Sequence, residues 1–148
     1  MTEQVLRFTR EFDAPRQLVF DCMVEPEHLT HFWGPLGTST PLDTITVDAR
    51  PGGAFATVMV NDTDGSSFPT SAHYVEVSPP DRLSWVEDRS GMTVTITFTE
   101  LAGDRTKVDI EQTNVPAPMM EPANQAGFLT SLDRFAAHLA RLTGAEGS

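Results

Sequence analysis

The segment Met92-Thr93-Val94-Thr95-Ile96-Thr97-Phe98-Thr99 alternates an apolar residue with threonine at every step. Successive side chains of a β-strand point to opposite faces, so this segment predicts a strand with one face in the core and one in water. A half-wet strand of this kind belongs to an antiparallel sheet, because parallel sheets are covered on both faces. Similar strand patterns occupy Thr44–Arg50, Ala54–Asn61, Ser71–Val77, Arg82–Arg89, Met92–Leu101 and Thr106–Thr113. Asn61–Ser67, Pro79-Pro80, Ser90-Gly91 and Ala102–Asp104 are connections of hairpin type. From Thr38 to Thr113 the chain therefore reads as strand and turn alone.

Helical patterns stand only outside that stretch. Gln4 to Phe12 alternates as a first strand. Asp13 then reads as an N-cap with Pro15 in the first turn, and Leu18, Val19, Cys22 and Met23 form a helical face. Pro26 opens a second short helix through Phe32, broken by Gly34-Pro35. Val115 to Pro122, with its prolines and Met119-Met120, predicts irregular structure. Phe128, Leu132, Phe135, Leu139 and Leu142 mark one face of a long last helix, ended by Gly144. The whole chain, 1–148, reads as a single α+β domain. One helix cannot fill the concave face of a strongly curved sheet, so the remaining space is a cavity or is plugged by large side chains.

A formal net charge of −11 opposes nucleic-acid binding, which needs a basic stripe, and opposes attraction to anionic lipid. No apolar run approaches the roughly 18 residues that span a bilayer. Met1 to Val5 carries neither a basic region nor an apolar core, so no signal peptide is expected and a cytoplasmic address follows by default. The single cysteine, Cys22, predicts a packed, inert thiol.

Asp48-Ala49-Arg50-Pro51-Gly52-Gly53-Ala54-Phe55 ends a strand at Pro51 and turns it at the glycine pair. Phe32-Trp33-Gly34-Pro35 precedes it and Pro79-Pro80-Asp81-Arg82-Leu83 follows. In this order and spacing the three segments resemble the activator of Hsp90 ATPase homologue 1-like branch of the SRPBCC/START/Bet v 1-like superfamily. The likeness runs from Arg10 to about Leu142, and includes Phe12-Asp13-Ala14-Pro15 and Pro26-Glu27-His28-Leu29. It implies a helix-grip fold: a curved antiparallel sheet of about six to seven strands around a long C-terminal helix, with two short helices after the first strand. It also implies a cavity. The superfamily spans lipid carriers, polyketide cyclases, hormone receptors and a co-chaperone domain, so it implies no single activity. The chain departs from the family pattern at Phe128, where a tryptophan is usual, and at Ala72, where a glycine is common.

For the cavity, Trp33, Phe55, Met59, Tyr74, Trp85, Met120, Phe128 and Leu132 are candidate walls, and His73 and Gln112 candidate polar handles. The Met119-Met120 segment is a candidate lid. The first reading is binding of a small apolar or amphipathic molecule, without cofactor, metal, nucleic acid or membrane insertion; a homodimer is left open. The runner-up is a cyclase- or hydratase-type enzyme acting in the cavity, with His73 as acid/base. The third is a protein-interaction module like the co-chaperone domain. There is no Gly-x-Ser-x-Gly elbow, Walker loop or dinucleotide fingerprint. His28-x-x-His31 lacks further ligands at usable spacing and reads as solvated surface. Asp48 and Arg50 read as a charge pair around the turn, and Glu76, Glu87 and Glu111 as outward-facing.

Overall fold

In the computed structural model, which describes residues 4–144, β1 (Leu6–Phe12) leads into helices α1 (Arg16–Val24) and α2 (Pro26–Phe32). Strands β2 (Thr38–Ser39), β3 (Thr46–Val47), β4 (Ala54–Asn61), β5 (Ser67–Ser78), β6 (Arg82–Glu87), β7 (Thr93–Leu101) and β8 (Arg105–Thr113) follow. A 3-10 turn at Ala117–Met120 then leads to the long helix α3 (Pro122–Thr143). The sheet is antiparallel, in the order β1-β8-β7-β6-β5-β4-β2, with β3 also on β4. This is the helix-grip architecture.

The alternation of β7 sets its two faces. Val94, Ile96 and Phe98 are buried, while Thr93, Thr95 and Thr97 are only partly so. Across the ladder these three apolar residues lie opposite Gln112, Ile110 and Val108 of β8. Phe20 of α1 meets Phe98 edge-on at 5.3 Å between ring centroids. Phe135 of α3 stacks on Phe32 of α2 at 4.3 Å and reaches Phe12 of β1 at 5.0 Å. Burying each of these rings contributes about 1.5–3 kcal/mol. The core thus ties all three helices to one face of the sheet.

The Pro-Gly-Gly turn folds as its residues dictate. The Asp48 N–H donates to the Ala54 carbonyl, and the Gly52 N–H to the Tyr74 carbonyl at 2.7 Å. A Cβ on Gly53 would lie 1.9 Å from the Asp48 carbonyl oxygen, so only glycine fits. Arg50 donates through Nε to Asp48 across the turn, both side chains exposed, as the charge-pair reading expects.

Several local expectations are corrected. Asp13 caps no helix: Pro15 occupies the N-cap position, and the Asp13 carboxylate instead accepts from Arg105 Nε at 2.8 Å. The expected strand 44–50 shrinks to Thr46–Val47, because Thr44 and Ile45 donate back to Pro41 and Leu42 in a 3-10 turn. Within 115–122, Ala117–Met120 takes one 3-10 turn rather than staying irregular. Gly144, at φ 75°, ends α3 as expected.

The pair His28 and His31 is not simply solvated. His28 Nδ1 lies 2.9 Å from Nε2 of His138 on α3, and His31 stacks on the same ring at 4.9 Å. His138 is 4% exposed, and burial, with His31, His28 and Arg141 nearby, pushes its imidazole down to about 4. Cys22 is fully buried beside this cluster, and burial, aided by Glu25 and Asp21, pushes its thiol up to about 12.

Candidate functional site

A cavity of about 380 Å³ lies between the sheet and α3. Its roof is the α3 face that carries Phe128, Leu132 and Phe135, spaced to project from one side of a helix. Its floor is the inward face of β6, β7 and β8, where Trp85, Val94, Ile96 and Ile110 stand. Trp33, Pro35 and Met59 close one end, and Met119 and Asn124 contribute from the segment before and within the first turn of α3. The walls are mostly apolar.

Loop and helix are fastened together at the Trp33 end. Arg134 of α3 donates through Nη1 to the carbonyls of Gly34, Pro35 and Thr38, at 2.9, 3.2 and 3.2 Å. A charged donor satisfying three carbonyls at once fixes the loop that carries Trp33 and Pro35. On the other side, Gln125 donates to the Met120 carbonyl at 2.7 Å and holds the 3-10 turn against α3.

Of the ten side chains expected at the site, Trp33, Met59, Trp85, Gln112, Phe128 and Leu132 line this cavity. Phe55 and Tyr74 do not. They stack on each other behind the wall, ring centroids 5.6 Å apart, and Phe55 supports both Trp33 at 5.2 Å and Trp85 at 5.0 Å. Met120 packs against the core, and its neighbour Met119 takes the lining position.

His73 lies outside as well, exposed, with Nδ1 2.9 Å from the Asp88 carboxylate. Alternation explains it: Ala72 and Tyr74 are buried on β5, so the residue between them faces away. His73 and Tyr74 cannot both point inward.

Glu87 is the lining residue that the outward-charge default misses. Its carboxyl accepts from Ser90 Oγ at 3.2 Å, and burial raises its pKa above the usual carboxylate value despite that bond. The signal was present, since Leu83, Trp85 and Glu87 share one face of β6. Gln112 sits on β8 on the far side of β7 and is 5% exposed. The cavity therefore combines aromatic and aliphatic walls with the amides of Gln112 and Asn124, the hydroxyls of Thr70 and Ser131, and one carboxyl whose pKa burial raises.

Residues 13–140 match the family model described as "Activator of Hsp90 ATPase homolog 1-like protein". The chain belongs to this family. Among solved structures, a Chromobacterium violaceum protein superposes with a TM-score of 0.83 at 25% identity, covering 92% of this chain and 97% of its own. A Nitrosomonas europaea protein gives 0.81 at 26%, covering 95% and 96%. The solution structure of an AHSA1-like protein from Aeromonas hydrophila gives 0.75 at 24%, covering 97% of each chain, and speaks to the fold alone. No curated protein matches. As a member of the activator of Hsp90 ATPase homologue 1-like family, the chain has a fold of a generally ligand-binding kind. No described helix is long and apolar enough to cross a membrane.

Proposed function

We propose that the cavity binds a small apolar molecule carrying one hydrogen-bonding group. The apolar body lies between Trp33, Met59 and Trp85 and the roof residues Phe128 and Leu132; the polar group meets Gln112 or Glu87. One observation carries this reading: a few polar side chains, Gln112 and Glu87 among them, face a mostly apolar space of about 380 Å³. Protein interiors leave few voids larger than a water molecule, and this volume falls within the range of small-molecule pockets.

The test is calorimetric titration with an anilinonaphthalene sulfonate, paired with tryptophan fluorescence. One-to-one binding that alters tryptophan emission saturably, and that Leu132→Trp weakens at least about tenfold by filling the cavity, is the expected result. Probe binding that leaves both tryptophans unchanged and is indifferent to Leu132→Trp would overturn the reading. Native mass spectrometry of the protein as purified then identifies any molecule it carries.

Glu87 favours a second reading, a cyclase- or hydratase-type enzyme. A carboxyl held in an apolar cavity with a raised pKa keeps its proton to higher pH than a free carboxyl, which suits it to donate that proton to a bound carbonyl or leaving oxygen. The acid/base role passes from His73 to Glu87. Under this reading Glu87→Gln binds ligand normally and abolishes turnover; under simple carriage it alters affinity alone.

A further inference from the structure

We propose that Cys22, His28 and His138 form a zinc site joining all three helices. Cys22 lies in the last turns of α1, His28 in the first turn of α2, and His138 near the end of α3. One donor atom from each comes within 4.8 Å of the other two. Cys22 is fully buried and His138 is 4% exposed, so two of the three donors are withdrawn from water with their ligating atoms converging.

The geometry is near what tetrahedral zinc requires. Zn–N bonds of about 2.0–2.1 Å and a Zn–S bond of about 2.3 Å place the donors roughly 3.3–3.6 Å apart. The two imidazole nitrogens stand at 2.9 Å and the widest separation is below 4.8 Å, so side-chain adjustments of under an ångström or so bring them into place. One thiolate with two imidazoles selects a borderline-soft ion over magnesium or calcium, which take oxygen ligands. Water takes the fourth position.

The neighbours fit the outer shell of such a site. Glu25 Oε1 is 3.8 Å from His28 Nε2, the ring nitrogen left free when Nδ1 binds the ion, and a small shift would let it accept from that nitrogen. Arg141 Nη2 lies 3.4 Å from His138 Nδ1 and has to swing outward, which its exposed position allows. On binding, Cys22 loses its thiol proton to solvent, one proton per ion, and each imidazole ligates through a ring nitrogen that carries no proton.

Cobalt(II), added to the full chain after chelator treatment, is the probe. Tight one-to-one binding with a thiolate-to-cobalt charge-transfer band and intense tetrahedral visible bands, both removed by zinc, is expected. Cys22→Ser should abolish the charge-transfer band. His28→Gln should weaken binding about tenfold or more, with His31→Gln close to wild type. Circular dichroism of each variant confirms folding, and His28→Gln, at a partly exposed position, carries the test if Cys22→Ser does not fold. No charge-transfer band at millimolar cobalt, or equal affinity in wild type and His28→Gln, would overturn the proposal.

Discussion

Glu87 stands two residues beyond Trp85 on β6, and both side chains enter the cavity under α3. A carboxyl and an indole thus share one wall, and the carboxyl is the group whose charge the site disfavours.

Glu87 gives a pH prediction. Burial raises its folded pKa above the unfolded value near 4.5, so the native state holds the proton longer. Its contribution to stability is present at low pH and is lost as pH rises through that window. Glu87→Gln should therefore gain stability over wild type at pH 7.5 and little or none at pH 4. Urea midpoints at the two pH values measure the difference, and equal differences would refute it.

Tyr74→Phe should leave stability unchanged or raise it by up to about 1 kcal/mol. The Tyr74 hydroxyl is buried without a partner among the described residues, so its desolvation has no compensating bond. Thermal melts decide the matter, and a loss above about 1 kcal/mol would reveal a partner for that hydroxyl.

At the glycine pair, Gly53→Ala should cost roughly 3 kcal/mol, because its Cβ collides with the Asp48 carbonyl. Gly52→Ala should cost only about 1–2 kcal/mol, since φ is +83° but the space is open. The ratio of the two losses in chemical denaturation is the informative quantity.

Phe128→Trp fills cavity volume at the roof, near the start of α3. Phe128 is only partly buried and packs on Phe8 at 4.6 Å. Ligand affinity should fall at least about tenfold, with the denaturation midpoint little changed. Lost stability with unchanged affinity would make Phe128 ordinary core, where overpacking costs about 1–3 kcal/mol.

Strands and helices were legible because period two and the long helical face are local signals; β4 agrees residue for residue. The same alternation, applied strictly, would have turned His73 outward and Glu87 inward. What local patterns cannot give is depth: Phe55 and Tyr74 point into the protein yet stand a layer behind the lining. Nor can they give long-range meetings. Asp13 found Arg105 instead of a helix, and His28 found His138 on α3, which no spacing rule connects.

The pairing of β1 with β8 sets the order in which the molecule can be built. Leu6 lies opposite Gln112 and Phe12 opposite Thr106, partners about a hundred residues apart. While the chain is being synthesised, β1 and the helices behind it have no sheet to join until β8 has been made. Closing so large a loop comes late and carries an entropic cost. Phe8 and Phe12 wait longer still, for Phe128 and Phe135 of α3, so the nascent chain keeps apolar surface exposed until it is nearly finished.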